Sequence, residues 1–129
     1  MKREIILAGT DLDRLAALSV ALSGKQYDVT IVQGQEPVAD VLRLQAKPTA
    51  LLVALNGSEN VVDVRTLVSR FNGAAILLLT PDRPPSAAFA RIVRSAGGAI
   101  LPVDEPDIVI IATLVAMNAH RSDVSVGNA

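Results

Sequence analysis

Polar side chains follow directly after several short apolar runs of this sequence. Gly9 to Asp13 come after the first run, Asn56 to Glu59 after the third, Thr80 to Asp82 after the fourth, and Asp104 with Glu105 after the fifth. If the runs are parallel strands, these segments meet at one edge of a sheet, where such folds place their functional crevice. Carboxylates grouped there could hold a cation. No nucleophile with an adjacent base can be assigned, so we predict that the protein is not an enzyme.

Asp11 and Asp13 allow two interpretations. As metal ligands they would form a residual cation site. At the start of a helix, Asp11 or Thr10 would accept hydrogen bonds from the first backbone amides, and Asp13 would lie at the positive end of the helix dipole. We favour capping, because aspartate is among the preferred residues at a helix start.

Three other candidates also have a structural interpretation that we favour. Thr80 could move between inward and outward states, but a strand-end hydroxyl commonly bonds a neighbouring loop. Asn56 followed by Gly57 is typical of a plain turn. His120 is expected on the surface near the end of the last helix, where the helix dipole favours a charged imidazole.

Composition excludes several classes of function. The 129 residues are 50% hydrophobic with a formal net charge of -1, and no dense basic stripe suits nucleic acid. The aromatic residues are Tyr27, Phe71 and Phe89 alone, too few for a base-stacking platform. The absence of cysteine excludes disulfides and thiol catalysis. No apolar run approaches the roughly 20 residues of a membrane span. We expect a cytoplasmic protein without cofactor, metal, nucleic-acid partner or membrane partner.

Two alternating hydrophobic patterns predict the fold. Continuous runs rich in Val, Ile and Leu are typical of strands buried on both faces, and they cover residues 5–8, 29–32, 50–55, 74–79 and 99–103. A segment with helical spacing follows each run, and the expected start and stop residues agree, namely Gly24, Pro37, Ser86 and Pro106. This alternation predicts a doubly wound, flavodoxin-like α/β fold. Its parallel five-stranded sheet should have the strand order 2-1-3-4-5.

These features resemble a response regulator receiver domain. The resemblance spans about residues 2–120 and is carried by the five βα units, the third strand from Pro48 to Leu55, and the fourth-strand end from Leu78 to Thr80. It implies a phosphoryl group accepted by an aspartate at the end of the third strand, and Mg²⁺ held by an acidic pair after the first. It also implies a lysine after the fifth strand, a hydroxyl after the fourth and an aromatic residue in the fifth.

The sequence departs from that family at nearly every functional position. Gly9 and Thr10 stand where the acidic pair is expected, and Ala54 stands at the acceptor position. Residues 41–58 contain no acidic side chain, so a small shift of alignment supplies no acceptor. Thr80 alone fits its position in the family.

The missing side chains remove the chemistry of phosphorylation. A carboxylate is the nucleophile in aspartyl phosphorylation, and a methyl group has no such atom. Backbone carbonyls and a neutral hydroxyl are poor substitutes for the anionic oxygen ligands of Mg²⁺. No lysine follows Lys47 and no aromatic residue follows Phe89. We therefore predict a degenerate phosphoacceptor pocket comprising Gly9, Thr10, Asp11, Ala54 and Thr80.

The last predicted helix, residues 107–121, has two apolar stripes. The stripe expected to cover the sheet comprises Ile108, Ile111, Ala112 and Val115. The second stripe, roughly 100° away, comprises Ile110, Leu114 and Met117. Either both belong to one wide core face, or the second is covered by another protein surface. We favour the second alternative.

Charge supports a two-fold interface on the same side. Receiver-like domains often dimerise through the fourth helix, fifth strand and fifth helix, and a self-complementary surface suits opposite charges on one patch. The predicted interface comprises Arg91, Arg94, Asp104, Asp107, Ile110, Leu114 and Met117.

The sequence therefore predicts a receiver-like domain over residues 1–121 and a flexible tail or linker over residues 122–129. The favoured function is a non-catalytic pseudo-receiver, a regulatory interaction module that forms a homodimer and works without aspartyl phosphorylation. A downstream effector domain in a longer chain is a further expected partner. The alternative is a small-ligand or nucleotide sensor that uses the crevice at the carboxyl ends of the strands.

Overall fold

Strands and helices alternate along the chain. The computed structural model describes residues 3–25, 27–82 and 84–127, and for residues 120–127 it describes the backbone alone. The strands are β1 (Arg3–Gly9), β2 (Tyr27–Gln33), β3 (Ala50–Ala54), β4 (Ala75–Thr80) and β5 (Ala99–Pro102). The helices are α1 (Leu12–Ser23), α2 (Pro37–Leu42), α3 (Val61–Arg70), α4 (Ala87–Ser95) and α5 (Asp107–Gly127).

The strands form one parallel sheet in the order β2-β1-β3-β4-β5. This confirms the predicted doubly wound α/β fold. The central strands β3 and β4 are buried almost throughout, whereas the edge strand β2 alternates between half-buried and exposed residues. A strand covered on both faces needs apolar side chains at every position, which explains the continuous runs in the sequence.

Helices cover both faces of the sheet. One core cluster joins the sheet to α2, α3 and α4, with Val41, Leu67 and Val93 among its fully buried members. The other cluster joins the sheet to α1 and α5, with Leu18 and Leu114 among its members. Apart from Phe71 and Phe89 in the first cluster, the buried members of both clusters are aliphatic.

Helix starts and a strand end agree with the local sequence. Ser86 accepts a hydrogen bond from the backbone N–H of Phe89, and Pro37 occupies the first turn of α2. At the sheet edge, β5 ends at Pro102, which pairs with Thr80 of β4. Proline has no N–H to donate, and within sheets it is found on edge strands.

The orientation of α5 differs from the prediction. Ile110 and Leu114 are 0% exposed and pack in the core against the sheet, so they cannot belong to an interface. Ile108, which was expected to cover the sheet, is 77% exposed, and Ala112 is exposed as well. Both stripes are apolar, so hydrophobicity alone could not select the inward face.

The length of α5 also differs from the prediction. The helix continues to Gly127, past the predicted end at Arg121. Each further residue of a helix adds one backbone hydrogen bond, which extends a helix without further nucleation. The predicted domain boundary at residue 121 and the flexibility of residues 122–129 stay predictions. Among the described residues, no helix combines the length and hydrophobicity needed to cross a membrane.

Candidate functional site

The carboxyl ends of the central strands meet in a small cavity. Gly9 ends β1 and Ala54 ends β3, and both line a cavity of about 90 Å³ together with Thr10, Asp11 and Arg14. The predicted pocket residues are thus brought together on one side of the sheet, with the exception of Thr80. Thr80 ends β4 but does not line this cavity.

The base of the cavity is formed by two small residues on adjacent strands. A Cβ placed on Gly9 would lie 3.1 Å from the Cβ of Ala54, closer than ordinary van der Waals contact. Apolar side chains complete the wall, including Leu15 and Leu79. At the predicted acceptor position, Ala54 therefore places a methyl group beside the backbone of Gly9.

The donor groups of this cavity do not fit Mg²⁺. Gly9 and Ala54 supply no side-chain oxygen and Thr10 supplies a neutral hydroxyl. Asp11 is the one carboxylate in the lining, whereas the ion prefers several hard oxygen ligands. In the described part of the chain, no group of three or more histidine or carboxylate side chains is placed to hold a metal ion. The alternative interpretation of Asp11 and Asp13 as a cation site therefore gains no support.

Asp11 is the N-cap of α1. Its side chain accepts a hydrogen bond from the backbone N–H of Arg14 at 3.2 Å, and Asp13 lies in the first turn. This arrangement satisfies one of the free amides at the helix start and places negative charge near its positive end. The capping interpretation is confirmed.

Thr80 also has the predicted structural role. Its side chain is 1% exposed, and its Oγ1 accepts a hydrogen bond from the backbone N–H of Asp82 at 3.2 Å. The backbone carbonyl of Thr80 accepts a second hydrogen bond from the N–H of Val103, at 2.8 Å. Thr80 therefore ties the loop after β4 and the segment after β5 to the same strand end.

The loop after β3 is closed by its own side chains. Asn56 Oδ1 accepts hydrogen bonds from the backbone N–H and the hydroxyl of Ser58, and Gly57 has a φ of 97°. The Glu59 carboxylate accepts from the backbone N–H groups of Asn56 and Gly57, at 3.0–3.2 Å. The predicted turn is confirmed, and its amide donors are taken by an internal carboxylate, a contact that sequence reasoning missed.

Arg14 is a second residue that sequence reasoning missed. Its guanidinium donates to the carbonyl oxygens of Val103 and Glu105, and its Nε lies 3.2 Å from Asp107 Oδ1. These contacts connect α1 to the segment between β5 and α5, directly beside the cavity. An arginine in the first turn of a helix faces an unfavourable dipole. This unfavourable position is the feature of the sequence that could have indicated a contact of Arg14 outside its own helix.

The predicted interface residues divide into two groups. Arg91 and Arg94 are exposed on α4, and Asp104 and Asp107 are exposed on the segment that leads into α5. Met117 is half-buried. These five remain candidates, whereas Ile110 and Leu114 lie in the core. The predicted position of the His120 side chain lies outside the described residues.

Two larger cavities lie away from the strand ends described above. One of about 250 Å³ is lined by Glu36, Glu59 and Asp63 among others, between α2 and the start of α3. The other, of about 380 Å³, includes Lys47 and Arg70 at the opposite end of β3. Neither contains a residue of the predicted pocket.

Known structures with the same fold include phosphorylated and metal-bound receivers. A signal receiver domain from Vibrio parahaemolyticus gives a TM-score of 0.77 at 12% identity, covering 100% of this chain and 99% of that one. A receiver domain of a sensor histidine kinase from Pseudomonas aeruginosa PAO1, with magnesium in its active-site cleft, gives 0.66 at 17% identity, covering 92% and 99%. A response regulator protein from Burkholderia pseudomallei, with a phosphorylated aspartic acid and calcium, gives 0.63 at 22% identity, covering 100% and 74%.

No protein-family model and no curated protein matches the sequence. The chain has the fold of response regulator receiver domains, as its strand order and βα alternation predicted. At these identities the similarity concerns the fold, so any shared activity has to be argued from the residues of the site.

Proposed function

We propose that this receiver-fold chain is a non-catalytic pseudo-receiver in signal transduction. It acts in the cytoplasm as a protein-interaction module, without aspartyl phosphorylation, and it forms a homodimer through α4, β5 and α5. A downstream effector domain in a longer chain is the other partner that suits such a module. Neither nucleic acid, a membrane nor a cofactor is part of the proposal.

The observation that carries this proposal is the methyl group of Ala54 at the end of β3, packed beside Gly9 at the end of β1. Phosphoryl transfer to a receiver needs an oxygen nucleophile at this place, and Ala54 has none. The neighbouring donors do not suit Mg²⁺, as described above. A receiver fold that lacks this chemistry still offers helix and edge surfaces for contact with another protein.

A phosphodonor assay tests the absence of phosphorylation. The purified protein is incubated with acetyl phosphate and Mg²⁺, and its intact mass is measured, with an aspartate-containing receiver domain as a control for the reagent. We expect the mass of this protein to stay unchanged while the control gains a phosphoryl group. A stable phosphoryl adduct on this chain would contradict the proposal.

The exposure of the residues of α5 indicates which of them suit the proposed dimer. Asp107 contacts Arg14 of α1, so the flank of α5 that carries Asp107 and Ile111 faces α1. Val109 and Thr113 lie on the other flank, and Val109 is 39% exposed. The proposed dimer surface therefore includes Val109 in place of the buried Ile110 and Leu114, together with charged groups of opposite sign on α4 and before α5.

Oligomeric state tests the proposed dimer. A change of Val109 to Glu places a charge on the proposed surface, and Val62→Glu is the matched control, because Val62 is 67% exposed on α3. In sedimentation velocity, we expect the unmodified chain and Val62→Glu to be dimers and Val109→Glu to be a monomer. A monomeric unmodified chain, or a dimer that Val109→Glu leaves intact, would rule out this surface.

The size of the strand-end cavity disfavours the sensor alternative. Pockets for small molecules and cofactors usually measure about 300–1,000 Å³. The cavity beside Gly9 and Ala54 holds about 90 Å³, which is too little for a nucleotide. We therefore do not propose that function.

A further inference from the structure

The segment between β5 and α5, residues 103–106, connects the edge of the sheet to the last helix. It follows a four-residue edge strand that pairs with β4. The Val103 N–H donates to Thr80 O at 2.8 Å, the Glu105 N–H donates to Pro102 O at 3.2 Å, and Pro106 O accepts from the N–H groups of Val109 and Ile110. A short segment that follows an edge strand is expected to open locally before the whole domain unfolds.

Arg14 adds contacts from another helix to this segment. Its side chain, 22% exposed, reaches from α1 to two backbone carbonyls and one carboxylate within residues 103–107. The planar fork of arginine suits several acceptors at once, and hydrogen bonds with a charged donor are stronger than neutral ones. The contact joins residues that are far apart in the sequence, so it holds α1 and the start of α5 together.

We propose that Arg14 is a positioning residue that holds the β5–α5 segment in one arrangement. The positive charge that contacts this segment belongs to the Arg14 side chain of α1, and arginine is charged at every physiological pH. The segment carries Asp104 and Asp107, so Arg14 also fixes where these charges lie on the surface. The proposal does not depend on the dimer, because the contacts of Arg14 lie within one chain.

Amide hydrogen exchange detected by NMR tests this proposal. In Arg14→Ala we expect the amides of Val103 and Glu105 to exchange about tenfold faster than in the unmodified protein. The amide of Leu55 is the internal reference, since it donates to Leu79 O at 2.8 Å and does not contact Arg14. Its exchange rate should not change.

Two further variants make the result specific. Arg14→Lys keeps the charge but replaces the planar guanidinium fork with a compact ammonium group, so an intermediate increase is expected. Arg43→Ala removes another arginine ion pair, the one with Asp40 at 2.9 Å, and should leave both reporter amides unchanged. Unchanged exchange at Val103 and Glu105 in Arg14→Ala would overturn the proposal. Equal acceleration of Leu55 would overturn it too, because that pattern indicates general destabilisation.

Discussion

Gly9 and Ala54 lie at the ends of adjacent parallel strands, so close that a Cβ on Gly9 would come within 3.1 Å of the Cβ of Ala54. The two residues lie side by side at the carboxyl ends of β1 and β3, on the same face of the sheet. Their small size leaves little room there for a larger side chain at residue 9. The site is a packed strand end with a small residual cavity.

This contact predicts the effect of a methyl group at residue 9. Gly9→Ala should lower the free energy of unfolding by about 1–3 kcal/mol, because the added carbon overpacks a tight site. Gly24→Ala is the matched control, since Gly24 has a right-handed φ of -64° and its nearest neighbour to a new Cβ is at 3.6 Å. That variant should gain about 0.4–1 kcal/mol. Urea denaturation measures both, and equal effects would contradict the close contact.

The orientation of α5 predicts very different losses of stability for the truncation of two of its apolar side chains. Leu114→Ala should destabilise the protein by about 2–5 kcal/mol, because it leaves a cavity beside the sheet. Ile108→Ala should change stability by no more than about 0.5 kcal/mol, because Ile108 is 77% exposed. Thermal or urea unfolding of the two variants distinguishes the observed orientation from the predicted one. If Ile108→Ala proved the costlier change, the observed orientation would be wrong.

The internal carboxylate of the β3–α3 loop predicts a stabilising role for Glu59. Glu59→Ala leaves the N–H groups of Asn56 and Gly57 without their acceptor and should cost about 1–2 kcal/mol. Glu36→Ala is a suitable control, because Glu36 precedes α2 without a side-chain capping bond. Its effect should stay within about 0.5 kcal/mol. A similar small effect of both variants in urea denaturation would argue against the role of Glu59.

A variant of Thr80 distinguishes a structural role of its hydroxyl from a role in relaying a signal. Thr80→Val removes the hydroxyl that accepts from the Asp82 N–H and should cost about 1 kcal/mol in unfolding experiments. The dimerisation constant in sedimentation should not change, because the hydroxyl bonds only its own loop in the described structure. A large shift of the dimerisation constant would instead indicate that Thr80 relays a signal to the interface.

The fold was predictable because its determinants are local. Continuous apolar runs identify buried parallel strands, and caps such as Asp11 and Ser86 depend on residues three positions away. The inward face of α5 was not predictable in this way. Ile108 and Ile110 are the same residue type on different faces, and only the path of the chain before the helix decides between them.

The contacts of Arg14 could not be predicted from the local sequence either. Two of the acceptors of Arg14 are backbone carbonyls, of Val103 and Glu105, and every residue carries such a group. No pattern of side chains marks them. The absence of a carboxylate at the end of β3, in contrast, was evident from Ala54 and from the lack of acidic residues around it in the sequence.

The proline at the end of β5 limits how copies of this protein can meet. Because Pro102 offers no N–H, another strand cannot continue the backbone ladder along the full outer side of the sheet. Contacts on that side have to be made by side chains of specific shape and charge. This edge therefore disfavours the strand-by-strand addition by which copies of a protein could stack without limit.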